Sequence, residues 1–413
     1  MLHKISLGSG DISKYRMVAV KKVIDELVSL GEELKGLRVC HVNSTPFGGG
    51  VAELLACQIP LMRAVGIQAD WQVIRGDHTF FTITKGFHNA LQGAVFSEIE
   101  SERMKGTYRA NNQENAQELD LIYDVFIIND PQPAALRHYL PENKAKWIWR
   151  CHVDSSNPSE AVWNFLRPYV EEHDAAVFTT REFVPKDLNM PKIATMTPAI
   201  CPLSSKNMFI ERNVCRELIA NMGFDPQRPL ITQVSRFDRW KDPFGTIAAY
   251  KLAKEEIPGV QLALIGSFAP DDPEAWDMHA ALSSEAIKDD DFYLFSNLTG
   301  VGNMEVNAFQ RASDVVVQKS IREGFGLVVA EALWKETPVV AGNAGGIPLQ
   351  MTGELSDYLV NSVEECADKL VYLLQNPDVR ERLGKAGKRI VQRNFLISRL
   401  ARDELRLIKS LVS

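Results

Sequence analysis

Two successive doubly wound α/β domains are expected from three observations on this chain. Its 413 residues exceed what a single hydrophobic core ordinarily organises. Short strand-like apolar runs alternate with helical patterns in two separate series, the signature of mostly parallel sheets covered by helices. Between the series, Pro198, Pro202 and neighbouring serines break the periodicity across 198–207. The domains are accordingly drawn as 1–203 and 204–392. A terminal helical segment, 393–413, follows, able to pack back on the first domain, although periodicity does not decide where it docks.

In the first series, a helical apolar pattern over Tyr15 to Leu34 leads into a strand from Leu37 to Val42. That strand runs into Asn43-Ser-Thr-Pro-Phe-Gly-Gly-Gly50, and a helix from Val51 to Val65 follows. Further strands are expected at Trp71 to Ile74, Val125 to Ile128, Trp147 to Cys151 and Ala175 to Phe178. The second series places strands at Leu230 to Val234, Val260 to Ile265, Phe292 to Phe295, Val315 to Val317 and Thr337 to Val340, and a last helix over roughly Leu396 to Leu411. Ligands of open α/β sheets bind outside the carboxyl ends of the strands, so two such sheets facing one another are expected to form an interdomain cleft.

Composition narrows the class. Hydrophobic residues at 45% and charged residues at 24% are ordinary for a soluble globular protein, and no apolar run approaches the roughly 18 residues of a membrane span. A net charge of −7 without a basic block lacks the footprint of a nucleic-acid binder. The cysteines, Cys40, Cys57, Cys151, Cys201, Cys215 and Cys366, are scattered without metal-ligand spacing, and Met1-Leu-His-Lys-Ile-Ser6 lacks the apolar core of a secretory signal. A cytoplasmic protein with reduced thiols, no metal site and no membrane or nucleic-acid partner is expected.

Three segments are candidates for chemistry. In Lys319-Ser-Ile-Arg-Glu-Gly-Phe-Gly-Leu-Val-Val-Ala-Glu331, a strand, a glycine turn and a helix start follow in succession. Unpaired amides at a helix N-terminus favour an anionic ligand, and glycines let it approach the main chain. Glu323 is then expected in the turn and Glu331 on the helix, accepting from vicinal hydroxyls; solvated glutamates on a buried strand and helix fit the segment equally. Gly48, Gly49 and Gly50 stand between a strand and a helix, where they suit either a pyrophosphate cradle or a flexible turn. They do not match the Gly-x-x-x-x-Gly-Lys-Ser/Thr or Gly-x-Gly-x-x-Gly spacings. In Val234-Ser-Arg-Phe-Asp-Arg-Trp-Lys-Asp-Pro243, Arg236 and Lys241 can converge on one anion at a strand exit, or form local pairs with Asp238 or Asp242.

Taken together, Arg236, Lys241, Glu323-Gly-Phe-Gly326 and Glu331 resemble the donor-site signature of retaining glycosyltransferases of family 4, whose two Rossmann-like domains form the arrangement called GT-B. Within that family the chain is most similar to the archaeal and bacterial trehalose glycosyltransferring synthases. The resemblance is carried by His41-Val-Asn-Ser-Thr-Pro-Phe-Gly-Gly-Gly-Val-Ala-Glu53, Phe87-His-Asn-Ala-Leu-Gln-Gly93, Asp130-Pro-Gln-Pro-Ala-Ala-Leu136, Trp149-Arg-Cys-His152, Gln233-Val-Ser-Arg-Phe-Asp238 and Val306-Asn-Ala-Phe-Gln-Arg-Ala-Ser-Asp314. It covers nearly the whole chain beyond the first helix.

The resemblance implies that Arg236 and Lys241 hold the donor diphosphate and that Glu331 binds the ribose hydroxyls. Glu323, with Gly324, Phe325 and Gly326, would bind the donor sugar. Gly49 and Gly50 would approach donor phosphate and sugar, and Asn297 and Leu298 fall where the nucleobase slot is expected. His152 matches the histidine beside the transferred sugar, although by itself it reads as a structural histidine. Asp130 and Gln132 would bind the acceptor, in a loop stiffened by Pro131 and Pro133.

The implied reaction moves glucose from a nucleoside diphosphate glucose, of uridine or adenosine, to free glucose and forms trehalose. No cofactor is needed for the chemistry, Mg2+ is at most stimulatory, and a homodimer is expected. Asn129 stands where the family pattern has His, Cys201 where it has Asp, and Glu354-Leu-Ser-Asp-Tyr358 replaces a Gly-Glu-Thr-Gly-Phe run. Three alternatives stay in view: a retaining trehalose phosphorylase, which resembles this family; a transferase with another acceptor such as a sugar phosphate held by Lys85, Arg137 and Arg150; or, suggested by Asn129 and Cys201, a sugar-nucleotide-binding protein without turnover.

Overall fold

The computed structural model describes residues 1–413 apart from 48, 97–100 and 269–273. The chain folds into two units, one formed by Met1–Ala199 with Ile397–Ser413, the other by 200–268 with 274–396. The division falls within the stretch where periodicity breaks, between Ala199 and Ile200 rather than after 203.

The first unit contains β1 (His3–Lys4), α1 (Ile12–Val18), α2 (Lys21–Glu33), β2 (Arg38–Asn43), α3 (Gly50–Ala64), β3 (Gln68–Val73), α4 (His78–Leu91), α5 (Glu102–Glu118), β4 (Val125–Asn129), β5 (Lys146–Arg150), α6 (Glu160–Glu171), β6 (Ala175–Phe178) and β7 (Ile193–Thr195). The strands form a sheet in the order β1-β3-β2-β4-β5-β6-β7, parallel throughout except for β1 against β3. Every residue of β4, Val-Phe-Ile-Ile-Asn, is buried, as a parallel strand covered on both faces requires. Trp147 and Phe126 stack at 4.4 Å between ring centres, and Phe87 and Tyr108 meet at 5.2 Å in the aromatic core. The helical pattern expected over 15–34 is two helices, α1 and α2. The chain is extended at Ala19 and Val20 between them, where β-branched Val18 and Val20 weaken the helix.

The second unit contains α7 (Arg212–Ala220), β8 (Leu230–Arg236), α8 (Pro243–Glu256), β9 (Gln261–Ser267), α9 (Ala275–Ala286), β10 (Phe292–Ser296), α10 (Asn303–Ala312), β11 (Val315–Gln318), α11 (Leu327–Trp334), β12 (Val339–Gly342), β13 (Leu359–Val360), α12 (Val363–Gln375) and α13 (Pro377–Asn394). Its parallel sheet runs β10-β9-β8-β11-β12-β13. The reversal of strand order beside β8 and β11 is the switch point of a doubly wound fold.

The last helix, α14 (Ile397–Val412), belongs to the first unit and packs on α2 and α3. Glu404 projects from it into a polar cluster in that unit's interior. One carboxylate oxygen accepts from Gln58 at 2.6 Å and lies 3.1 Å from His41 Nε2, and the other is 3.2 Å from the Arg150 guanidinium. Burial alone would raise the Glu404 pKa, but His41 and Arg150 outweigh it and hold the carboxyl below the usual range. No helix among the described residues is long and apolar enough to cross a membrane.

Candidate active site

In the second unit the candidate groups gather at the carboxyl ends of neighbouring strands. Arg236 ends β8 in register with Ser267 of β9, and Ser296 of β10 pairs with Gly266. Beyond Arg236 the chain turns through a 3-10 segment, Arg239–Lys241, which Asp238 caps by accepting from the Trp240 amide at 2.9 Å. Asp242, in the left-handed region at φ 47°, then caps α8 and forms an ion pair with Lys319. Asp tolerates this region because its short side chain bonds locally.

The turn is tied to the β11–α11 loop. Ile321 donates its amide to Trp240 O at 2.9 Å, and Lys241 Nζ lies 2.6 Å from Glu323 Oε2. The same carboxylate oxygen accepts from Ser320 Oγ at 3.1 Å, and Ser320 accepts from Gln318 Nε2 at 2.9 Å. Glu323 is thus a buried carboxylate, 7% exposed, compensated by a cation and a hydroxyl. Arg236 sits 3.8 Å from Asp238, the local pairing that its sequence context allowed.

Glycines shape the loop that carries Glu323. Gly326, at φ 82°, precedes α11, and Gln350 donates to Phe325 O at 2.6 Å from the next segment. A Cβ on Gly345 would stand 1.6 Å from Glu323 O, so that only glycine permits this approach. Glu331, 2% exposed, pairs with Lys206 at 3.1 Å, while its other oxygen has no hydrogen-bond partner among the described residues. The two glutamates therefore have separate cationic partners. The Asn297 side chain bonds Phe268, accepting from its amide at 2.9 Å and donating to its carbonyl at 3.3 Å, and the apolar Leu298 side chain beside it is exposed.

In the first unit, Gly49 is the N-cap of α3 and Gly50 its first residue, with open space where a Gly49 Cβ would lie; Gly48 lies outside the described residues. Asp130 follows β4 at φ 65°, and its Oδ1 accepts from the His152 amide at 2.8 Å. Gln132 is buried in the same loop, and its carbonyl accepts from Asn112 at 3.1 Å. His152 Nε2 lies 3.0 Å from Asn129 Oδ1. The Asn129 amide nitrogen donates to Val42 O at 3.1 Å, so its oxygen is left for the ring, and Nε2 carries the hydrogen. Burial, then the neighbouring Arg150 and His41, push the His152 pKa well below the ordinary value, and the ring is neutral.

The structure thus joins Lys241 to Glu323, and His152 to Asp130 and Asn129. It also pairs Arg236 with Asp238 and Glu331 with Lys206. Sequence reasoning missed three contributors: Ser320, Lys206 and Asn129 as the partner of His152. Asn129 was noticed only as a departure, and Lys206 lay in a stretch read as a break. Nothing in local sequence marks either as a neighbour of the groups it contacts.

The two Rossmann-like α/β domains each have a largely parallel sheet, and basic and acidic groups lie at the strand exits of the second. Residues 41–185 match the family model described as the N-terminal domain of trehalose synthase, and residues 216–390 match glycosyl transferases group 1. A trehalose synthase of Rubrobacter xylanophilus is 45% identical across 100% of both chains, and one of Thermococcus litoralis is 45% identical across 97% of each. A trehalose phosphorylase of Grifola frondosa is 28% identical over 86% of this chain and 55% of its own length. Among solved structures, a UDP-forming α,α-trehalose-phosphate synthase of Burkholderia xenovorans shares the fold with a TM-score of 0.71 at 15% identity, over 92% of this chain and 100% of that one. The chain belongs to the trehalose synthase family of glycosyltransferases.

Proposed function

We propose that the protein transfers glucose, with retention of configuration, from a nucleoside diphosphate glucose to the anomeric hydroxyl of free glucose, giving α,α-trehalose. The observation that carries this reading is the Lys241–Glu323 pair, 2.6 Å apart, which joins the turn following Arg236 at the end of β8 to the β11–α11 loop. A cation there can transfer from carboxylate to diphosphate as donor binds, leaving Glu323 to accept from sugar hydroxyls. The bond from sugar C1 to the diphosphate oxygen breaks as the acceptor oxygen bonds to C1 on the same face. The acceptor proton passes to the departing phosphate, whose charge Arg236 and Lys241 stabilise.

No side-chain nucleophile enters this scheme, so Glu323 and Glu331 are not an acid and nucleophile pair of the glycosidase kind. Neutral His152, with Nε2–H fixed on Asn129, offers Nδ1 as an acceptor for a sugar hydroxyl. A free sugar as acceptor is supported by the commitments of two of the cations that would hold a sugar phosphate. Arg150 is paired with Glu404, and Arg137 donates to the carbonyls of Leu140 and Asn143.

The test is incubation of purified protein with UDP-glucose or ADP-glucose and glucose, reading free nucleotide and trehalose together. Equal yields of the two are expected. Sugar phosphate formation from trehalose and inorganic phosphate, without nucleotide dependence, would identify a phosphorylase instead.

A further inference from the structure

The segment that opens the second unit grips the helix carrying Glu331. Its turn is closed by the Asn207 amide donating to Ser204 O at 2.9 Å and by Ser204 Oγ donating to Cys201 O at 3.0 Å. Two consecutive side chains then reach α11. Lys206 Nζ lies 3.1 Å from Glu331 Oε1, with the side chains only 13% and 2% exposed. Asn207 Oδ1 accepts from Lys335 Nζ at 2.7 Å, and Asn207 O accepts from Trp334 Nε1 at 3.2 Å. Lys335 also donates to Gln310 Oε1 at 2.6 Å. Residues 331, 334 and 335 are spaced to share one helix face, so these contacts fix the rotation of α11 about its axis.

The consequence falls on the carboxylate. Glu331 Oε1 is compensated by Lys206, while Oε2 is buried and has no hydrogen-bond partner among the described residues. A buried acceptor in that condition is costly unless a ligand supplies a donor. We infer that Lys206 is a positioning residue of the donor site, engaging Glu331 through Oε1 so that Oε2 is presented, charged, to the vicinal hydroxyls of a nucleotide ribose. This rests on the reading of Glu331 as the ribose acceptor. Without the cation the carboxylate would be an unpaired buried charge, a cost that favours its swinging out of place.

The experiment compares binding of the nucleoside diphosphate, uridine or adenosine, that the wild type holds more tightly with binding of its 2′,3′-dideoxy analogue, by calorimetry on the full chain. Wild type should prefer the ribose form by roughly tenfold. Lys206→Met should lose that preference, with binding of the dideoxy form unchanged, and Lys206→Arg should restore it. Lys206→Gln serves as a second neutral variant should the Met form fail to fold. If Lys206→Met keeps the preference while Glu331→Ala abolishes it, the inference is overturned and the ribose reading stands. A wild type with no preference overturns both, and an equal loss for both nucleotides makes Lys206 merely structural.

Discussion

Replacing Glu323 by Gln keeps the shape of the side chain and removes its charge, which separates holding the sugar from holding the nucleotide. In the structure Glu323 Oε2 takes the Lys241 ammonium at 2.6 Å and the Ser320 hydroxyl at 3.1 Å. If sugar hydroxyls replace or join these donors, each charge-assisted bond contributes about 1.5–3 kcal/mol, and the amide forfeits most of one. Transfer should therefore fall by roughly tenfold to a hundredfold, and Glu323→Ala should nearly abolish it. Nucleotide binding should move the other way or not at all, because Lys241 loses its competing carboxylate and is freer to meet a diphosphate. Arg236→Ala supplies the contrast, weakening nucleotide binding itself by about 1.5–3 kcal/mol. Turnover is followed as trehalose formed from donor and glucose, and affinity by calorimetry with the free nucleoside diphosphate. Unchanged turnover in Glu323→Gln, or a loss of nucleotide affinity matching the loss of turnover, would refute the assignment.

Gly345→Ala should destabilise the second unit by roughly 1–3 kcal/mol, because the residue sits at φ 52° and its Cβ would collide with Glu323 O; a denaturant midpoint equal to wild type would count against this. Glu404→Ala should cost about 3–5 kcal/mol by leaving Arg150 buried without its carboxylate, measured by urea unfolding, with a loss under about 1 kcal/mol contradicting the packing described. Burial pushes the His173 pKa down to about 4. The unfolded chain therefore binds the extra proton first. The histidine's contribution is complete above pH ~6.5 and is lost as pH falls towards 4, by up to about 3 kcal/mol. His152 acts in the same sense. His173→Gln should flatten the fall of the urea midpoint over that interval, and an unaltered profile would refute the linkage.

The main strands were legible because parallel strands buried on both faces must be written as short runs of valine, isoleucine and aromatic residues. Val-Val-Val-Gln of β11 and Val-Phe-Ile-Ile-Asn of β4 are such runs. The strands that sequence reading overlooked are β1, β7 and β13, edge strands of two or three residues. They are too short to show a period and are strands only because a neighbour supplies hydrogen bonds. The break between α1 and α2 was likewise invisible to a pattern that tracks apolar spacing alone.

For the site, residue types at strand exits allowed an anion-binding reading beside a solvated or locally paired one, and the motifs identified the family. What sequence alone could determine were properties each segment carries by itself: periodicity, turn chemistry, and the presence of Arg236 and Lys241 at a strand exit, Glu323 in a turn and Glu331 on a helix. Which cation meets which carboxylate was decided only in three dimensions. Lys241 and Glu323 lie 82 positions apart, and Arg150 and Glu404 lie 254 apart. A charge buried with a partner is chosen by the packing that excludes water from both, and that packing belongs to the assembled sheet rather than to any stretch of chain.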